Sequence, residues 1–364
     1  MISESHILCK AKKVLSARHG HVIIISDENV RDLYAQHFFD QIAEKHGKSM
    51  LFTIPVGEQS KSRAIRDYLE DQLVMHGVDK DAALVAFGGG VTIDLVGFVA
   101  STYFRGIDFY IVPTTLMAMV DAAIGGKNAI NHNSGKNVFG TIFHAVDVFI
   151  EPKFLDTLPH HLLQEGFMEI MKCGLIYDAD FFDEMSRGDS INNREYIDRA
   201  ILIKRTIIDR DIEDKGVRRI LNFGHLVGHA VEKCSVYVIS HGQAIWFGFL
   251  VETYLSYLLG YLPHADLEKI QACCLRKDVA LPFSLDISAS FLYEAMSNDK
   301  KSKGGIPRSV LLKRIGKAEF FGGEYCCVIK QKDFFDAFHY VVTTIDAVFP
   351  LKNVQNSAAM DELQ

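Results

Sequence analysis

The sequence predicts an α/β N-terminal domain built on a mostly parallel sheet, followed by an all-α C-terminal domain. Three observations carry this. Continuous apolar runs alternate with helical patterns up to about residue 152. Beyond it, long helical patterns follow one another to about residue 300. The chain has 364 residues, 48% of them hydrophobic, which is material for two cores rather than one.

The strands are read first. HVIIIS, MLFTIPV, AALVAFGG, FYIVPTT and VDVFIEP are predominantly apolar runs bounded by turn residues. Strands buried on both faces of a parallel sheet have this character, because neither side alternates with solvent. Between the first two lies NVRDLYAQHFFDQIAEKHG, a helical pattern with Gly47 as its stop. Strand and helix in alternation make an α/β domain over 1–152. The helical patterns PHHLLQEGFMEIMKCGLIYDADFFDEMSRG and NNREYIDRAILIKRTIIDRDIEDKG then open a helical domain over 153–364, with the boundary near Glu151–Pro152.

Composition excludes several classes. The formal net charge is −7, so non-specific nucleic-acid binding is not expected and an anionic ligand must be met by local cations. Seven cysteines include no Cys-x-x-Cys pair, which fits reduced thiols in a cytoplasmic setting. The N-terminus MISESHILCKAKK lacks an apolar core of signal-peptide length. The run AIWFGFLVETYLSYLLGYL is interrupted by Glu252 and reads as a buried helix, not a membrane span.

Two regions carry candidate chemistry. In LVAFGGGVTIDLVGF, a strand leads through Gly88, Gly89 and Gly90 into a helix. Such a turn lets backbone approach a ligand, and the helix N-terminus can hold a diphosphate. Equally, it can be a tight structural turn, and it matches neither the G-x-G-x-x-G fingerprint nor a P-loop. Downstream, VPTTLMAMVDAAIGGKNAINHNSGKN presents Thr114, Thr115, Asp121, Lys127, Lys136 and Asn137. Its lysines can meet phosphate or carboxylate, or simply be solvated.

The second region, LNFGHLVGHAVEKCSVYVISHGQAIWFGF, holds His225, His229 and His241 in an apolar stretch. His225 and His229 share a helix face at i, i+4. A zinc-like centre needs about three protein ligands. Glu169 in EGFMEIMKCG, with Lys172 one turn on, is a carboxylate in apolar company that a metal would satisfy. Core histidines with backbone partners are the alternative, and spacing does not choose which two histidines bind.

Together the segments GGGVTIDLVGFVASTYFRG, VPTTLMAMVDAAIGGKNAINHNSGKN, EIMKCGL, RRILNFGHLVGHAVE, HGQAI and DKKSKGGIPRSVLLKRIG resemble the dehydroquinate synthase family of sugar-phosphate cyclases. The resemblance runs in order from about Asp27 to Ala318. It implies an NAD-binding α/β domain followed by a helical metal-binding domain, and conversion of 3-deoxy-D-arabino-heptulosonate 7-phosphate to 3-dehydroquinate and phosphate.

The ligands of one divalent metal, Zn2+ or Co2+, then fall on Glu169, His225 and His241. NAD contacts carry over to Asp27, Glu58, Lys61, Gly90, Val91, Asp94, Thr114 and Thr115. They extend to Lys127, Lys136 and the FLDT run of Phe154, Leu155, Asp156 and Thr157. Substrate contacts carry over to Asp121, Lys127, Asn137, Lys172, Lys204, Arg218, Asn222 and His229, with one of Lys300 or Lys301. Arg105 of YFRG would reach a neighbouring subunit's site, implying a homodimer. The implied partner is a phosphorylated sugar acid, with neither nucleic acid nor membrane.

The chain departs from the family pattern at Ile93 for glycine, Ala122 and Ala123 for two serines, Leu226 for threonine and Gln243 for glutamate. Other readings are a cyclase acting on sedoheptulose 7-phosphate, a metal-dependent polyol dehydrogenase, and a non-catalytic paralogue.

Overall fold

A computed structural model describes residues 5–133, 135–188, 193–284, 286–298 and 305–350. Lys300 and Lys301 lie outside the described residues. The chain divides into two compact units, one of residues 1–173 with 188–218 and one of residues 174–187 with 219–364. The boundary expected near residue 152 lies upstream of this division. The first unit also takes in most of the helix His160–Tyr177 and all of the helix Arg194–Asp209.

In the first unit, β1 (Val22–Asp27), β2 (Ser49–Ile54), β3 (Ala83–Gly88) and β4 (Asp108–Pro113) fall on the first four expected runs. With a two-residue β7 (Asp147–Val148) they form one five-stranded sheet in the order β2-β1-β3-β4-β7, parallel throughout. β3 is buried at every position, as an all-apolar run predicts. Asp27 ends β1, Gly88 ends β3 and Thr114 follows β4, so three neighbouring strands deliver candidate residues at their carboxyl ends. That edge is where open α/β sheets bind ligands.

Two details differ from expectation. The helix after β1 holds a π-helical turn at Arg31–Ala35 and ends at Ala43, before Gly47. The polar segment after Asp121 is an antiparallel hairpin of β5 (Lys127–His132) and β6 (Gly135–Ile142).

The second unit is helical. Among its described elements are the helices His225–Cys234 and His241–Leu258. The latter starts with a capping box, in which Ser240 and Gln243 satisfy each other's backbone N–H groups. It is buried along most of its length, and the indole of Trp246 donates to the carbonyl of Cys274 at 2.8 Å. No helix among the described residues is long and apolar enough to cross a membrane. The expectation of an all-α half needs one correction. Two short antiparallel pairs are present, Leu312–Arg314 with Lys317–Ala318 and Arg308–Ser309 with Cys327–Val328. Each spans only two or three residues, too short for periodicity to register.

Candidate active site

The glycine turn supplies space rather than unusual backbone angles. None of Gly88, Gly89 and Gly90 has a positive φ. A Cβ on Gly88 would stand 2.6 Å from Thr92 Oγ1, whereas one on Gly90 would meet only the Cβ of Ala122 at 3.5 Å. The helix Gly90–Thr102 starts at this turn without a side-chain cap. Its first N–H groups are therefore suited to a diphosphate. Beside it, Thr114 Oγ1 is buried and has no hydrogen-bond partner among the described residues. A buried hydroxyl of this kind calls for a ligand atom. Both features fit a dinucleotide.

Lys61 gathers the neighbouring polar groups. Its ammonium donates to Asp94 Oδ2 at 2.6 Å and to Asn137 Oδ1 at 2.7 Å, with Glu58 Oε1 at 3.8 Å. Burial pushes the Asp94 carboxyl up, and Lys61 only partly offsets it. Asn137, expected on substrate, thus shares Lys61 with residues expected on NAD, and it adopts a left-handed φ of 54°.

The remaining NAD candidates are placed unevenly. Asp27 caps the following helix by accepting from Val30 N at 3.0 Å. Thr115 Oγ1 accepts from Ala118 N. Phe154 and Leu155 are core residues, the Phe154 ring lying 5.5 Å from that of Phe87. Thr157 Oγ1 bonds the hydroxyl of Tyr34. In the FLDT run, the polar side chains available to a ligand are therefore Asp156 and Thr157.

A second charged group lies deeper in the first unit. Lys204 donates to the Asp121 carboxylate and, at 2.7 Å, to the Asp121 main-chain oxygen. Lys172 donates to the Glu169 carboxylate, and both are 3% exposed. Loss of solvation pushes the Asp121 carboxyl up, but Lys204 and Lys172 outweigh this and hold it below its ordinary value. Burial pulls Lys172 down, but Glu169 and Asp121 outweigh this and hold it above its ordinary value. Lys172 is thus a cation and Asp121 a carboxylate at neutral pH. Lys127 reaches Asp214 at 2.7 Å.

The Arg218 guanidinium is buried and donates to the carbonyls of Ile212 at 3.0 Å and Gly125 at 3.3 Å. Its loop is held by Asp211, whose carboxylate accepts backbone N–H bonds from Lys215, Gly216 and Arg218. At the end of the glycine-turn helix, Phe104 and the exposed Arg105 both adopt left-handed angles, φ 48° and 69°.

In the second unit the three histidines converge. Ring centroids of His225 and His229 are 5.4 Å apart, those of His225 and His241 are 5.6 Å apart, and those of His229 and His241 are 6.2 Å apart. His225 Nδ1 lies 3.0 Å from the Phe223 carbonyl, and His241 Nδ1 lies 3.1 Å from Glu232 Oε2. An oxygen acceptor at Nδ1 fixes the neutral tautomer in which Nε2 carries the lone pair, the usual arrangement of metal-binding histidines. The donor set therefore fits a divalent metal of the zinc type. Asn222 is turned toward the main chain, its amide donating to the Arg219 carbonyl at 3.0 Å.

Three acids escaped the sequence reading as site residues: Asp211, Glu232 and Glu252. A signal existed for Glu232. It lies seven residues beyond His225 and three beyond His229, on the same helix face.

Residues 51–165 match the model of the 3-dehydroquinate synthase N-terminal domain, and residues 166–302 match that of the C-terminal domain. The chain is 36% identical over 325 residues to 3-dehydroquinate synthase of Dictyoglomus thermophilum, covering 86% of this chain and 88% of that one. The fold is similar to that of 2-epi-5-epi-valiolone synthase from Streptomyces hygroscopicus, solved with NAD+ and Zn2+. There the TM-score is 0.81 and the identity 26%, covering 94% of this chain and 96% of that one. It is also similar in fold to a 2-deoxy-scyllo-inosose synthase solved with carbaglucose-6-phosphate, NAD+ and Co2+. In that case the TM-score is 0.85 and the identity 23%, covering 92% and 95% of the two chains. With both domain models matched in succession along its length, the chain belongs to the 3-dehydroquinate synthase family.

Proposed function

We propose that the chain converts 3-deoxy-D-arabino-heptulosonate 7-phosphate to 3-dehydroquinate and phosphate, a lyase reaction of the shikimate pathway. The observation that carries this is the succession of both family domains over residues 51–302. The glycine turn and Thr114 would hold NAD+, with Asp27, Glu58, Lys61, Asp94 and Thr115 around it. Bound NAD+ would supply an acceptor for the hydride of substrate C5, and the hydride would return to the substrate within the same turnover, so that no net NADH forms. Glu169, His225 and His241 would hold the metal, Zn2+ or Co2+, which would polarise the C4 and C5 oxygens.

The protein's own groups bind and orient the substrate. It carries a carboxylate and a phosphate, and an acidic chain must meet both with local cations. Lys127, Lys204, Arg218 and His229 are the groups we assign, through charge-assisted hydrogen bonds. Lys204 is held by the Asp121 carboxylate, and Glu169 holds Lys172 above its ordinary value, so Lys172 acts as a fixed positive charge rather than as a base. The leaving phosphate then serves as the base for the C6 proton.

We further propose a cytoplasmic homodimer in which Arg105 enters the neighbouring site. The test is incubation with the heptulosonate phosphate, with and without chelator. Phosphate release that needs metal, with no net NADH, is expected. Net NADH accumulation would instead mark a polyol dehydrogenase.

A further inference from the structure

Glu252 interrupts the most apolar stretch of the chain and is 0% exposed. Oε2 of its carboxylate accepts from Gly224 N at 2.7 Å, and Oε1 accepts from Val227 N at 3.3 Å. Both donors belong to the start of the helix that begins with His225. Helices usually meet such N–H groups with a Ser, Thr, Asp or Asn at the preceding position. Here that position is Gly224, at φ +77°, where a Cβ would stand 2.4 Å from the ring of Phe249. A side-chain cap at position 224 is therefore excluded, and the cap comes from the next helix.

That helix is built to deliver it. A Cβ on Gly248 would stand 2.0 Å from the Gly224 carbonyl oxygen, so only glycine permits this approach. Glu252 follows one turn later on the same face. His241 opens the same helix, eleven residues before Glu252 and three turns away on that face. One helix thus carries one histidine of the cluster at its start and the clamp on the helix of another further along. The clamped turn has a second role, because the Phe223 carbonyl next to Gly224 is the acceptor for His225 Nδ1.

We infer that Glu252 is a positioning residue for His225: it holds the Phe223–Gly224 turn and thereby the ring nitrogen that His225 offers to a metal. A buried carboxylate is a costly way to gain stability alone. Its bonds to Gly224 N and Val227 N fall on the backbone that orients one imidazole. The inference rests on His225 being a metal ligand, as proposed above.

The experiment compares the full chain with Glu252→Ala, Glu252→Gln and His225→Ala. Zn2+ affinity is measured by competition with a chromophoric chelator, and histidine ring nitrogens by long-range 1H–15N spectra. Glu252→Ala is expected to weaken Zn2+ binding by about 10–100-fold. It should also move the His225 Nδ1 signal while leaving that of His241 in place. Glu252→Gln keeps one acceptor oxygen and should fall between Glu252→Ala and the parent. It carries the test alone if Glu252→Ala does not fold. Unchanged affinity and an unmoved His225 signal in a folded variant, with His225→Ala losing metal, would overturn the role of Glu252. Retention of metal by His225→Ala would instead overturn the ligand reading beneath it.

Discussion

Glu232 Oε2 stands 3.1 Å from His241 Nδ1, and Glu232 is itself buried. The pair joins the two helices of the histidine cluster, since Glu232 lies on His225–Cys234 and His241 opens the next helix. A carboxylate on Nδ1 both orients the imidazole and raises its basicity at Nε2. Glu232→Ala is therefore expected to weaken metal binding by about 10–100-fold while leaving the helices intact. Chelator competition measures this, and an unchanged dissociation constant would remove Glu232 from the centre.

Loss of a ligand should be more severe. His241→Ala is expected to lose the ion and the activity together while the α/β unit stays folded. Elemental analysis of the purified variant decides, because full metal occupancy is incompatible with His241 as a ligand.

What each residue contacts decides whether its role shows in the sequence. The four long strands were legible because burial on both faces leaves an uninterrupted apolar run. The β5–β6 hairpin was not. Its inward positions include Asn128, which is satisfied by the Gly126 and Phe143 carbonyls, so polarity concealed the alternation. In the candidate site, three histidines in an apolar segment were visible, as was Glu169 among apolar neighbours. Asp211 and Glu252 were not visible in that role. Their partners are backbone N–H groups brought near by turns, and no residue spacing encodes those.

Asp211 gives a pH-dependent prediction. Loss of solvation pushes its carboxyl up, but the N–H groups of Lys215, Gly216 and Arg218 outweigh this and hold it below its ordinary value of 3.8. A depressed carboxyl contributes stability above its unfolded value, and that contribution is lost as pH falls through the folded value. Asp211→Asn should therefore unfold at lower urea than the parent at pH 7. The gap should close as pH falls below about 4. A gap persisting undiminished in stronger acid would assign the effect to something other than the ionised carboxylate.

Arg105 tests the shared site. Phe104 and Arg105 hold left-handed angles that cost non-glycine residues energy, and the Arg105 side chain is exposed. If Arg105 serves a neighbouring subunit, Arg105→Ala and Lys172→Ala chains should complement each other. One of the two sites in a mixed dimer keeps both residues. Recovered activity in verified heterodimers is expected, and none would count against sharing.

Substrate choice rests on Lys204 and Arg218. Ile201, Lys204 and Ile208 form a stripe at i, i+3 and i+7, which places Lys204 on the inward face, and it is 8% exposed. A buried lysine needs an anion, and Asp121 is that anion. Lys204→Met would leave Asp121 without this partner, so its effect mixes stability with binding. Arg218 is the cleaner probe, because its guanidinium donates to the neutral carbonyls of Ile212 and Gly125, and the acid its charge acts on, Asp211, is also held by backbone N–H groups. Removing its charge from a desolvated contact with the substrate carboxylate should cost about 2–5 kcal/mol. Arg218→Met should therefore depress turnover of the heptulosonate phosphate strongly, while barely changing any turnover of sedoheptulose 7-phosphate, which lacks the carboxylate. Equal losses on the two sugars would remove Arg218 from carboxylate recognition. Faster turnover of the carboxylate-free sugar by the parent enzyme would overturn the proposed substrate itself.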